Sequence, residues 1–242
     1  MRDYKKEYEE RVAFIRDLLE KSGAKGIVYG NSGGKDSALV GILCKAACDN
    51  TVGIIMPCAS KRNFGQDAED ARIAADQYGI ETRFIDLTPV REAEMQQLSS
   101  LTEVTPAAAV NIAPRLRMTT LYAVAASEGR LVAGTGNRSE AYVGYFTKWG
   151  DGAHDFKPIS DLTVTEIYEF LRYLDAPACI IEKAPSAGLF DGQTDEADMG
   201  LKYADLDEYI LTGHTNEKAA ATIERLHRNS RHKRDGIARF SR

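Results

Sequence analysis

The stretch Tyr29–Gly41, "YGNSGGKDSALVG", holds the residues best suited to chemistry in this chain. It is glycine-rich, carries a Gly-Lys pair and has a hydroxyl residue two places further on. It is not a Walker A loop, which needs four residues between its glycines and then Gly-Lys-Ser/Thr without a break. Here three residues separate Gly30 from Gly34, and Asp36 stands where a magnesium-binding hydroxyl would be. Glycines let backbone N–H groups approach an anion closely, and a helix start adds a favourable dipole. Ser32 and Ser37 can donate to phosphate oxygens. Asp36 would repel a bare phosphate, so Ser32-Gly33-Gly34-Lys35-Asp36-Ser37 argues for a polyphosphate bridged by magnesium. The plain alternative is a glycine turn with a helix cap. One carboxylate is a poor magnesium site, and Glu140 in "GTGNRSE" is the candidate partner. Its own plain alternative is an ordinary glutamate at a helix start.

These groups need a scaffold that brings them together. Val12, Ile15, Leu18 and Leu19 recur at helical spacing, and Gly23 can end that helix. "GIVYG" is a short apolar run between glycines and reads as a buried parallel strand. "SALVGILCKAAC" then has the spacing of a helix, "TVGIIMP" reads as a second strand and "DAEDARIAADQYG" as a second helix. "TRFIDL" reads as a third strand. A long alanine-rich helix over about residues 107–127 precedes a fourth strand, "RLVAG". This alternation implies an α/β fold: a doubly wound, Rossmann-like parallel sheet flanked by helices. Ligands in such sheets gather at the carboxyl ends of the strands. Asn31–Ser37, Pro57–Phe64 and Thr135–Glu140 all fall there. Beyond Gly150 the pattern changes to a helical and loop extension. Thr163-x-x-Glu166 is a capping-box signature ahead of the apolar stripe Val164, Ile167, Leu171 and Leu174. "SAGLFDGQTDEADMG" reads as an acidic loop, and a last helix is expected over Asn216–Arg228. The chain reads as one unit of 242 residues, with a core over about 12–150 and a covering part over about 151–242.

Composition narrows the function. The chain is 43% hydrophobic and 28% charged with a net charge of −5, so it has no overall basic footprint for nucleic acid. Basic residues gather only at the end, in "RLHRNSRHKRDGIARFSR". Cys44, Cys48, Cys58 and Cys179 form no C-x-x-C pair, disulfide framework or zinc spacing, and read as small reduced core residues. Cys58 follows a strand end and so falls near the ligand side, but no base partner is evident. No signal peptide and no membrane-length apolar stretch appear, which makes the cytoplasm the expected location and excludes a membrane partner.

The loop "SGGKDS" resembles the S-G-G-x-D-S loop of the N-type ATP pyrophosphatases. The segments "NIAPRLRMTTLY", "GTGNRSEAYVGYFTKWGDGAHDFKPISDL", "KAPSAGLFDGQTDEADMG" and "RHKR" are similar to successive motifs of the ammonia-dependent NAD synthetase family, over about residues 12–235. The resemblance implies a reaction. The nicotinate carboxylate of deamido-NAD attacks the α-phosphate of ATP, pyrophosphate leaves, and ammonia displaces AMP from the adenylate. It implies magnesium as cofactor and free ammonia rather than glutamine as nitrogen source. It also implies a homodimer with the substrate site at its interface, formed through the apolar helix around residues 115–126.

Carried over residue by residue, ATP falls on Ser32, Gly33, Gly34, Lys35, Asp36 and Ser37, with Thr135 and Ser186 close by. Asp36 and Glu140 match the magnesium positions. Arg115, Lys148, Asp155, His232 and Lys233 match positions that bind deamido-NAD. Asp195 and Glu196 match the acidic pair of "TDE" near the reaction centre, and Asp195 joins Asp36 and Lys35 as a catalytic candidate. There are two departures. Lys35 stands where the family often has an apolar residue, and Val164 where it often has a lysine near the phosphates. Either Lys35 restores that charge from the loop, or it points to solvent. Two other functions remain open on the residues: a tRNA-modifying ATP pyrophosphatase, which would normally add a nucleic-acid module or catalytic cysteines, and a non-catalytic nucleotide-binding protein.

Overall fold

The computed structural model describes residues 2–186, 188 and 194–240. The order of its first half is α1 (Tyr4–Ser22), β1 (Gly26–Gly30), α2 (Lys35–Ala47), β2 (Thr51–Ile55), α3 (Lys61–Phe64), α4 (Gln66–Gln77), β3 (Glu81–Phe84), α5 (Thr88–Ser99), α6 (Pro106–Val110), α7 (Ile112–Glu128) and β4 (Arg130–Ala133). After it come α8 (Arg138–Val143), α9 (Val164–Tyr173), α10 (Ala178–Ile181), α11 (Asp195–Met199), α12 (Tyr203–Thr212), α13 (Glu217–Asn229) and α14 (Arg231–Arg234).

The strands pair in parallel in the order β3-β2-β1-β4, with Val28 opposite Val52 on one side and Val132 on the other. The chain winds outward from β1 through β2 to β3, then returns past β1 to add β4. The carboxyl ends of β1 and β4 therefore flank the switch point of a doubly wound sheet, where such folds bind ligands.

β1 is apolar throughout because both of its faces are covered. Ile27 and Tyr29 join Ile15, Leu39, Leu43, Ile167 and Phe170 on the side of α1, α2 and α9. Val28 points the other way and packs with Val52, Val132, Ala113 and Ala125 under α7. Gly23 ends α1 in the left-handed conformation, φ +67°, as its position in the sequence implies. Thr163 and Glu166 form the full capping box at the start of α9, and Val164, Ile167 and Leu171 turn inward.

The structure departs from the sequence reading in particular places. The expected single alanine-rich helix is two helices that break at Asn111, whose side chain donates to Ala107 O at 2.7 Å and accepts from Thr147 Oγ1 at 2.7 Å. α5 and α12 were not anticipated. None of the residues of α5 is buried, so it carries no apolar periodicity to read. Of the segment read as an acidic loop, residues 187 and 189–193 lie outside the described residues, and its end forms α11.

The later helices are fastened to the sheet through one buried aspartate. Asp207 of α12 is 2% exposed. It accepts from the Ser139 hydroxyl at 2.5 Å and from both the N–H and hydroxyl of Thr165 at 2.7 Å, so it joins α12 to α8 and to the first turn of α9. Asp207→Ala would strand one buried donor, the Ser139 hydroxyl, and the two half-sheltered donors of Thr165, with about 1–3 kcal/mol for the buried one and less for each of the others. A stability loss of about 3 kcal/mol is expected, or a Tm lower by roughly 6–12 °C at this size, read by thermal denaturation. A loss below about 1 kcal/mol would contradict this fastening role.

Candidate active site

The glycine loop leaves β1 at the switch point. Asn31 N–H donates to Ile54 O at 2.9 Å, and the Asn31 amide donates to Ala71 O at 3.0 Å. Gly33 turns back at φ +69°, and a Cβ there would stand 2.1 Å from Asp67 O. Only glycine meets both the left-handed conformation and the contact with α4. Gly34 caps α2 with no side-chain bond, so the first N–H groups of the helix are free to face a ligand. The Ser32 and Ser37 hydroxyls lie 3.1 Å apart, and Ser37 donates to Gly34 O at 3.0 Å.

Beneath the loop sit carboxylates from three elements. Asp36 Oδ1 accepts from the Asn137 amide at 3.0 Å and Oδ2 from Lys35 Nζ at 2.7 Å. Glu140 is the third residue of α8 and completes a capping box with Asn137, so the plain reading of a helix-start glutamate holds. It is also part of the charged cluster. Burial first and the neighbouring Asp36 second push its carboxyl up to about 8, and Asp195 adds to the effect. Asp195 is 3% exposed and accepts from the Tyr203 hydroxyl at 3.1 Å. Glu196 is exposed and accepts from Tyr203 N–H at 2.8 Å.

Lys35 is not turned to solvent. It is buried, and its ammonium lies 2.7 Å from Asp36 and 5.5 Å from the centre of the Tyr203 ring. Burial opposes its charge, yet Asp36 and Glu140 overcome that and hold its pKa above the ordinary lysine value. Val164 is buried against the same Tyr203. Position 164 thus belongs to the apolar cluster under Tyr203 and is not among the residues that line the cavity with Lys35.

The loop, Glu140, Asp195, Thr135 and Ser186 line a cavity of about 460 Å³ whose apolar end is formed by Ile54, Met56, Leu121 and Val132. Lys233 reaches the same cavity and donates to Gly144 O at 2.7 Å and Phe146 O at 2.5 Å. Arg115, Lys148, Asp155 and His232 are not among the lining residues; Arg115 donates to Lys148 O at 3.4 Å and Lys148 to His232 O at 2.6 Å, so the basic tail folds onto residues 144–148. Asp155 sits on the edge of β4, engaged by Val132 N–H at 2.7 Å and the Tyr122 hydroxyl at 3.2 Å. Cys58 is buried, and burial pushes its thiol pKa up, so it is not an activated thiol.

Sequence reasoning missed three residues here. Asn137 orients Asp36, and its spacing to Glu140 was a readable capping signal. Arg117 lines the cavity and donates to Met56 O at 3.0 Å and Asn63 Oδ1 at 3.1 Å. Lys183 donates to Gly33 O at 3.0 Å and pairs with Asp67 and Asp70, both at 2.7 Å, which ties the glycine loop to α4. No local pattern pointed to Lys183, because its partners lie more than a hundred residues away.

An anion-ready loop at the switch point of a parallel sheet, with carboxylates beside it, defines an α/β protein of the nucleotide-binding class. Comparison with known proteins gives the particular family. The family model described as NAD synthase matches residues 7–236. The NH(3)-dependent NAD(+) synthetase of Carboxydothermus hydrogenoformans is 46% identical over 235 residues, 96% of each chain. The NMN synthetase of Francisella tularensis superposes with a TM-score of 0.93 at 36% identity over 99% of each chain. The NH3-dependent NAD synthetase of Campylobacter jejuni, solved in complex with the nitrate ion, gives 0.81 at 30% identity over 100% of each chain. The chain belongs to the NAD synthase family, and with it to the ligases that form a C–N bond.

Asp36→Asn and Glu140→Gln keep shape and remove charge from the cluster, so each is expected to lower turnover by about 10²–10³-fold, the usual loss for one catalytic electrostatic contact. Near-parental rates at limiting magnesium would show that neither carboxylate is needed for turnover. Lys35→Ile is expected to lower kcat/KM for ATP roughly tenfold, the equivalent of one charge-assisted contact. A change within about twofold would make Lys35 a bystander.

Proposed function

We propose that the chain makes NAD from deamido-NAD, ATP and free ammonia through an adenylated carboxylate, releasing AMP and pyrophosphate. The observation that carries this reading is the free first turn of α2 set above the Asp36–Glu140 pair in one cavity. A carboxylate is a poor electrophile, and converting it to a mixed anhydride with AMP supplies the leaving group that ammonia displaces. The protein's work is to align phosphates and neutralise charge. Gly33, Gly34, Ser32 and Ser37 present donors, and Asp36, Lys35 and Asp195 surround the reacting phosphates. Thr135 and Ser186 complete the nucleotide site, while Arg115, Lys148, Asp155, His232 and Lys233 serve the anionic acceptor.

The donor set fits magnesium. Two carboxylates from different elements are crowded enough to raise Glu140, and their hard oxygens suit that cation. Among the described residues no three His, Cys, Asp or Glu side chains stand close enough to enclose a metal, so phosphate and water oxygens would complete its shell. When bound, magnesium supplies charge neutralisation at the phosphates. One feature favours ammonia over glutamine: burial pushes the thiol pKa values of Cys44 and Cys58 up, so neither is an activated nucleophile.

We further propose a homodimer through the α5–α7 layer. Val90 and Leu101 are exposed there, and α7 buries only Ala113, Pro114 and Ala125. We place the enzyme in the cytoplasm; no described helix is long and apolar enough to cross a membrane. Residues of about 12–150 would form the nucleotide-holding core and those of about 151–242 the part that covers the substrate.

The likeness to an NMN synthetase, higher in TM-score than that to the Campylobacter enzyme, favours a second reading of the acceptor. On that reading the mononucleotide, nicotinate mononucleotide, is amidated by the same chemistry. One assay separates the readings. ATP, magnesium and ammonium are supplied with either acceptor, and AMP, pyrophosphate and amide product are measured together. Deamido-NAD is expected to give the three products in equal amounts, and glutamine in place of ammonium to give little. A higher kcat/KM for the mononucleotide would transfer the assignment to it, and efficient use of glutamine would contradict the nitrogen source.

A further inference from the structure

Lys157 lies behind the glycine strip at the end of β4. The backbone before it is fixed at the end of β4: Phe156 forms a parallel bridge with Ala133, and its carbonyl accepts from Gly134 N–H at 2.8 Å. This added edge lays two basic side chains along the glycine strip Gly134-Thr135-Gly136, which lines the cavity. The His154 ring covers Gly134, 2.6 Å from where a Cβ would stand. The Lys157 side chain runs along Gly136, its Cδ 3.8 Å and its Nζ 3.9 Å from the equivalent point.

Lys157 is half-buried, and among the described residues no hydrogen bond or ion pair ties its ammonium. Lys157 is not itself among the cavity-lining residues; behind the glycine strip it borders an outer hollow with Glu7, Glu10, Arg11 and Asp161. Those carboxylates face other cations: Asp161 takes Arg11 at 2.7 Å and Arg2 at 3.1 Å, Glu7 takes Arg11 at 2.6 Å, and the exposed Glu10 lies 3.7 Å from Lys6. Burial lowers the lysine's pKa, and the groups that pull the other way are Glu140 and Asp151, both lining the cavity. A half-sheltered ammonium with no partner is a costly arrangement unless an anion completes it. The anion the neighbouring loop is built for is a polyphosphate.

We infer that Lys157 is a phosphate-binding residue, holding the nucleotide from the β4 side of the crevice while the first turn of α2 holds it from the β1 side. This rests on the ATP-using reading of the site. The test is calorimetric titration of the intact protein with a non-hydrolysable ATP analogue and, separately, with adenosine. Lys157→Met is expected to weaken analogue binding about tenfold, the loss of one charge-assisted contact. Adenosine binding, acceptor binding and Tm should stay at parental values, and Lys157→Arg should bind the analogue within about twofold of the parent. Lys157→Gln serves the same purpose if the methionine variant does not fold. Unchanged analogue binding in a folded neutral variant would overturn the assignment, as would equal weakening of analogue and adenosine. A parent that binds the analogue but makes no NAD would count against the proposed reaction and leave this assignment standing.

Discussion

Asp36, Glu140 and Asp195 bring three carboxylates to one sheltered place at the ends of β1 and β4, with the ammonium of Lys35 among them. Like charges held this close in a low-dielectric setting demand compensation. The surroundings supply it in part. Asn137 donates to Asp36, Tyr203 donates to Asp195, and Lys35 is kept charged by its neighbours against the cost of burial. The remainder is the charge that the proposed magnesium–phosphate ligand would balance. Glu140, raised to about 8, records how incomplete the internal compensation is.

The scaffold follows from this demand. The loop above the carboxylates must present N–H groups rather than side chains, and it must pass within contact of Asp67, so Gly33 allows no substitute. Lys183 then holds the loop's carbonyl side against α4 and turns the donor side toward the cavity. Asp207 fixes α8, and with it Glu140, to the helices that close the site from the carboxyl-terminal side. Charge placement, loop geometry and the later helices thus depend on one another.

The sequence was legible where local pattern and tertiary role coincide. β1 reads as a buried strand because both faces are covered, and α9 because capping box and apolar stripe agree. Asp36 and Glu140 fall in one cavity because each opens a helix that follows a strand end, a placement the order of strands and helices implies. What escaped was set by distant partners. The break at Asn111 depends on Thr147, the place of Lys183 on Asp67 and Asp70, and the burial of Lys35 on Tyr203. Asp155 illustrates the converse: matched to an acceptor-binding position, it also fastens the backbone of β4. α5 gave no signal because it presents no buried face within one chain.

The central claim is that this cavity activates a carboxylate by joining it to the α-phosphate of ATP. Deamido-NAD labelled with ¹⁸O in its carboxylate tests that claim most directly. Attack by the labelled oxygen on the α-phosphate, followed by ammonia displacing AMP, must leave one label in AMP for each amide formed. Mass spectrometry of the AMP is expected to show that single transfer, with pyrophosphate unlabelled. Unlabelled AMP, or label in the pyrophosphate, would contradict the account.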